Sequence, residues 1–315
     1  MRILLSPLNW GLGHATRCVP IVRHLLRQGH EVVLASDGVA RDFLLHYFPS
    51  LSCLEAPALR LRYAKGTSQV WAMLLQLPAL LRHARQDYLW FKHLLEREHF
   101  DCVISDNRFG MYSSSVKSVY ITHQMMVKMP SGLCFLEPLA HALHMWVIQH
   151  YSECLIPDYA SSPGLSGDLS HHYPLPSHAR FIGPLSRFQN KELPPPNEQY
   201  DCVALLSGLE PHRTLMEQAL IDQYQDKEEK LLILEGRPGC SPLFQGTHNV
   251  SICAHMPDEQ LVTYLLGARR IVCRSGYSTL MDLDALGILH KAHLIATPGQ
   301  TEQEYLALLH QGGKH

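Results

Sequence analysis

The side chains of this chain that could do chemistry gather where strand-like runs give way to turns. In "NWGLGHATR" (residues 9–17), Gly11 and Gly13 bring His14 to the start of an amphipathic helix. A glycine turn opening a helix presents backbone N–H groups to an anion. It equally exposes a side chain at the carboxyl end of a parallel strand. A histidine there titrates near neutrality and suits a general base, while capping the helix is its plainer use. "ISDNRFG" supplies Asp106 and Arg108, and "YITHQ" supplies His123 and Gln124, each just past a strand-like run. Arg108 beside Asp106 is expected either to depress that carboxyl or to hold an anionic group. Turn formation and a half-buried histidine are the alternatives. "SGLEPHR" offers Ser207, Gly208 and Arg213, and "RSGYST" offers Arg274, Ser275, Gly276, Ser278 and Thr279. Taken singly, these two serine-glycine pairs are equally well explained as strand-to-helix turns.

The elements that must position these residues alternate. "RILLSP" (2–7) is a short apolar run bounded by turn residues, as in a central parallel strand. Val19, Val22, Leu25 and Leu26 then recur at helical spacing, and Gly29 marks the helix end. Strands are expected at 30–37, 101–107 and 118–124, with a helix from Val39. A second block repeats the pattern, with strands at 201–208, 230–236, 250–256 and 270–276 and helices from Arg213, Asp258 and Ser278. Such alternation predicts an α/β chain of two Rossmann-like, doubly wound parallel-sheet domains. The proline-rich stretch "FIGPLSRFQNKELPPPNEQ" reads as a linker over 181–199, leaving domains 1–180 and 200–315 to face each other across a ligand cleft.

"RIVCRSGYSTLMDLDALG" followed by "IATPGQTEQEYLA" resembles the nucleotide-sugar signature of GT-B glycosyltransferases, those of family 28 in particular. "GLGHATR" is similar to the N-terminal glycine loop of that family and "RFIGPL" to its inter-domain segment. The resemblance implies an inverting, metal-independent transferase with a UDP-sugar on the C-terminal domain, UDP-N-acetylglucosamine being one case. The acceptor, lipid-linked or glycan, would lie on the N-terminal domain. The glycine turns would meet the diphosphate through helix N-termini, and "AHMP", with His255 and Met256, would read the base. Asp282, where the family has a glutamate, would take the ribose diol; an ordinary helical acid is the rival reading. Gln300, Gln303 and Glu304 would meet the sugar. Gly13, Arg108 and His123 would line the acceptor side, with His14 or Asp106 as base. The family continues with a final strand and a crossing helix, whereas this sequence ends eleven residues after "PGQTEQE".

Composition bounds the alternatives. With 46% apolar and 18% charged residues over 315 positions, the chain is globular. A net charge of −2 gives no basic excess for nucleic acid. Nine scattered cysteines without a C-x-x-C pair predict reduced thiols and a cytoplasmic protein, with no signal peptide ahead of the first strand. Residues 71–95 begin apolar and then carry Arg82, Arg85 and Lys92. This reads as a core helix with a charged outer face, or as a surface that rests on the inner leaflet of a membrane. Glu137, His141 and His144 share a helical face but lack a recognised metal spacing, so no metal and no cofactor beyond the sugar nucleotide are expected. Two rival functions are a non-hydrolysing UDP-sugar 2-epimerase and a sugar-nucleotide-binding protein without turnover.

Overall fold

The computed structural model describes residues 1–59, 69–189, 192–208, 210–237 and 240–311, and the side chains of 69–77 and 131 lie outside that description. Two compact units divide between Arg187 and Phe188, inside the stretch expected to be a linker. That stretch is not linker throughout: Phe181 ends an edge strand of the first unit, and 182–187 stay with it.

The first unit runs β1 (Arg2–Pro7), α1 (Leu12–Arg27), β2 (Glu31–Ser36), α2 (Gly38–Tyr47), β3 (Cys53–Glu55), α3 (Gln69–Leu95), β4 (Cys102–Asp106) and β5 (Lys117–Ile121). It then continues with α4 (Glu137–Ile148), β6 (Glu153–Ile156), α5 (Asp168–His171) and β7 (Ala179–Phe181). All seven strands are parallel, in the order β3-β2-β1-β4-β5-β6-β7. The period-2 alternation of β1 divides the core. Ile3 and Leu5 pack with Val19, Val22 and Phe43 on one face, while Leu4 packs with Phe91, Val103 and Met111 on the other. Burial on both faces is why these strands read as unbroken apolar runs.

Gly29 ends α1 as its spacing predicts. At φ 75° it lies in the left-handed region. Its N–H reaches the Leu26 carbonyl at 3.0 Å and that of His30 reaches Leu25 at 3.1 Å, a Schellman closure. The strands β3, β6 and β7 carry no sequence signal of their own, being three or four residues long at the sheet's flanks.

The second unit runs β8 (Cys202–Leu205), α6 (His212–Tyr224), β9 (Leu231–Leu234), β10 (Val250–Cys253), α7 (Asp258–Gly267), β11 (Arg270–Cys273), α8 (Tyr277–Ala285), β12 (Ala292–Leu294) and α9 (Thr301–Gln311). Its five parallel strands follow the order β10-β9-β8-β11-β12, so β8 and β11 are adjacent at the centre. Each sheet therefore has a central pair of strands whose ends diverge toward opposite flanks, the place where open α/β sheets bind ligands.

Arg108 fastens α3 to the end of β4. It is 1% exposed; its Nε and Nη2 donate to the Asp87 carboxylate at 3.2 and 2.6 Å, and Nη2 also donates to the Pro57 carbonyl. Removing one member of a buried pair leaves the other charge uncompensated, at a cost of roughly 3–5 kcal/mol. Asp87→Ala is therefore expected to lower the unfolding free energy read from urea denaturation by roughly 3–5 kcal/mol; a loss below about 1 kcal/mol would show the pair to be dispensable.

Candidate functional site

The end of β4 brings together residues from three segments. Asp106 is fully buried, yet both its oxygens are occupied by charge-bearing partners. Arg17 Nε donates to Oδ2 at 2.6 Å, and Arg17 Nη2 donates to Oδ1. His14 Nδ1 lies 2.9 Å from Oδ1, and Cys18 Sγ 3.6 Å from Oδ2. Arg17 Nη1 extends the cluster to His123 Nδ1 at 3.2 Å. Burial alone would raise the Asp106 carboxyl, but Arg17 and His14 outweigh it and hold the group well below the usual carboxylate range. Burial, and then Arg17, lower His14 against the opposing pull of Asp106.

His14 and Asp106, rival bases by sequence, are thus one unit with separate positions in it. The carboxylate is sealed, whereas the His14 side chain is 13% exposed. With Nδ1 turned inward, the ring's Nε2 lies on the far side from these partners. Arg108 does not join them, and the sequence-based expectation that it tunes Asp106 is corrected here: the neighbour that does so is Arg17. The reason is Asn107, which adopts φ 58° and breaks the strand alternation that would put 106 and 108 on one side. The Gly13 carbonyl accepts from Thr16 Oγ1 at 2.9 Å, closing the first turn of α1. Sequence reasoning missed Arg17. Its signal was a cation lying between the buried Ala15 and Cys18, one helical turn after His14.

In the second unit the expected donor residues fall into two groups. Several are committed to the fold. Ser275 Oγ donates to the Gln303 carbonyl at 2.7 Å; the Gln303 side chain accepts from the Thr297 amide and donates to Gln300. Glu304 accepts from the Gly299 amide. Arg213 pairs with Glu210, whose other oxygen takes the amide and hydroxyl of Thr214 at 3.3 and 2.7 Å. Glu210 thus occupies Arg213, which the sequence assigns to a phosphate. Asp282 and Met256 are buried, and His255 is half-buried.

The start of α8 is built differently. Its N-cap, Gly276, has no side-chain cap bond and there is no acid in the first turn, and a Cβ at Gly276 would meet nothing within 4 Å. Ser278 and Thr279 there are half-buried, as is Ser207, while Gly208 is exposed at φ 94°. Arg274 is 5% exposed and bonds only carbonyls among the described residues, those of Ile295, Ala296 and His212. A buried guanidinium without a carboxylate, beside the positive end of a helix, creates a local field suited to an anion.

A pair of buried acids carries no signal in the sequence. Glu217 and Glu235 are both fully buried; burial and the neighbouring Glu235 push Glu217 up to about 7. The Glu137, His141 and His144 trio separates. Glu137 accepts from the Met129 amide, His141 bonds the Met125 carbonyl, and His144 faces the Tyr120 hydroxyl. No group of three metal-ligating side chains occurs among the described residues.

Comparison with known proteins fixes the fold. No family model matches the chain, and no curated relative does. Solved structures do. The rhamnosyltransferase SpnG in complex with thymidine diphosphate aligns with 99% of this chain and 85% of its own at 17% identity, TM-score 0.64. UGT2 of Phytolacca americana, complexed with UDP-2fluoro-glucose and pterostilbene, aligns with 99% and 83% at 15% identity, TM-score 0.58. MurG of Acinetobacter baumannii aligns with 99% and 83% at 11% identity, TM-score 0.50. The fold is the GT-B fold of glycosyltransferases, as the sequence motifs imply.

Because the folded-state pKa of Glu217 is raised, its contribution to stability is complete below the ordinary carboxylate range and is lost as pH rises to about 7. Glu217→Gln is expected to raise Tm at pH 8 by about 3 °C or more and to flatten the fall in Tm across that window. An unchanged pH profile would show the two carboxylates to be independent.

Proposed function

We propose that this chain is an inverting, metal-independent glycosyltransferase that moves a sugar from a UDP-sugar to an acceptor hydroxyl. The observation that carries this reading is the His14–Asp106–Arg17 cluster on a GT-B fold: a partly exposed imidazole whose inner nitrogen is engaged by a buried, ionised carboxylate. In the transfer, His14 Nε2 takes the acceptor's hydroxyl proton as the oxygen bonds the anomeric carbon. The bond from that carbon to the diphosphate oxygen breaks on the opposite face, and UDP leaves with the electron pair. The N-terminus of α8 and Arg274 would meet the charge developing on the diphosphate. Gly208, Ser278 and Thr279 would line its approach. Asp282, His255 and Met256 would face the nucleoside and Gln300 the sugar.

Peripheral membrane contact belongs to the same reading. No helix among the described residues is long and apolar enough to cross a membrane. Phe135, Leu139, Leu143 and Trp146 are 55–75% exposed along α4 and the short 3-10 turn Ser131–Leu136 that precedes it. Ring contacts from Trp146 through His150 and Tyr112 lead to Tyr88 on α3, where Arg82, Arg85 and Lys92 are exposed. An apolar stripe beside basic side chains suits an anionic leaflet. The apolar start of the 71–95 segment lies outside the described side chains.

His14→Ala is expected to lower turnover with a UDP-sugar by about 10²–10⁴-fold while leaving UDP affinity within about twofold of wild type. Loss of UDP binding in step with turnover would remove His14 from the base position. A thermal-shift panel of UDP, TDP and GDP tests the nucleotide: UDP is expected to raise Tm most, and a larger shift with another nucleotide would overturn the donor assignment.

A further inference from the structure

We propose that Arg17 is a positioning residue that decides which nitrogen of His14 carries the proton, and that in the ligand-free enzyme it holds the proton on Nε2. The inference rests on the reading of His14 as base and deepens it.

Three polar atoms meet at one point inside the first unit. His14 Nδ1 has Arg17 Nη2 at 2.7 Å and Asp106 Oδ1 at 2.9 Å, and Nη2 also donates to Oδ1. A neutral imidazole nitrogen either donates or accepts, so Nδ1 satisfies one of these neighbours at a time. With its proton on Nδ1, His14 donates to Asp106, and Nε2 keeps a lone pair with which to take the acceptor's proton. With Nδ1 bare, it accepts from Arg17; Nε2 then carries the hydrogen and has no lone pair for a base.

Three observations favour the second arrangement at rest. The Arg17 nitrogen is nearer to Nδ1 than is the carboxylate oxygen. Asp106 already has a guanidinium on both oxygens, so its pull on a ring proton is weaker than that of a carboxylate with histidine as sole partner. Arg17 is 2% exposed and also reaches His123, so its guanidinium is held where it is by protein on every side. Among the described residues, the charged and titratable groups acting on the ring are Arg17 from α1, Asp106 from β4 and His123 after β5; Cys18 meets Asp106. Arming the base then consists of moving Nη2 off Nδ1, after which Nδ1, once protonated, donates a hydrogen bond to Asp106 and the Nε2 lone pair appears. No proton is gained or lost overall: one leaves Nε2 and one arrives at Nδ1 through solvent.

The test is long-range ¹H–¹⁵N NMR of full-length protein labelled at histidine, without substrate at pH 7.5, assigned by the missing signals of His14→Gln. Wild type is expected to show His14 with a protonated Nε2 and a bare Nδ1. Arg17→Lys, which keeps a charge on Asp106 but has a single nitrogen in place of the Nε and Nη2 pair, is expected to move the proton to Nδ1. Arg17→Gln provides the same test should the lysine variant fail to fold. Wild type with the proton already on Nδ1, or either folded variant with an unchanged tautomer, would overturn the inference. The functional reading fails separately: a tautomer that shifts as expected, in a protein whose turnover is indifferent to His14→Ala, would leave Arg17's role standing and remove the base.

Discussion

A buried carboxylate must be either neutral or paired, and in this molecule the first unit is organised around keeping Asp106 charged. Removing a carboxylate from water costs several kcal/mol, and Asp106 sits at the end of β4 with no exposure. Arg17 meets that cost from α1, one turn past His14. The glycine turn before α1 sets where that helix starts, so it fixes His14 and Arg17 against the strand end together. Loop, helix and strand register are therefore one geometric condition: shifting any of them separates the carboxylate from its cation.

The second unit uses positive charge differently. Near α8 it leaves Arg274 bonded, among the described residues, to carbonyls alone, beside a helix terminus with no acid in its first turn. At α6 the comparable position is already filled, since Glu210 lies on Arg213 and Thr214. Two serine-glycine turns that look equivalent in sequence thus differ in what they offer an anion. That difference directs the proposed diphosphate to α8.

Much of this was legible beforehand. Strand alternation, the helix end at Gly29 and the division of the chain into two α/β blocks follow from apolar periodicity and turn residues, which are local signals. The partners of the site residues were not legible, because they are long-range. Nothing near Asp106 in sequence reveals Arg17, 89 positions away. Arg108 looks like its neighbour until Asn107 turns the backbone. Ser275 and Gln303 read as ligands because their types suit a sugar nucleotide, yet Ser275 donates to the Gln303 carbonyl and the Gln303 side chain accepts from the Thr297 amide. Residue type reports what a side chain can do, and only the fold decides whether it is free to do it.

Hydrogen–deuterium exchange with and without saturating UDP tests the central claim most directly. The account predicts slowed exchange in the amides of 276–279 at the start of α8, with 11–17 at the start of α1 unchanged. Protection confined to 11–17, or none in either segment while UDP is bound, would contradict it.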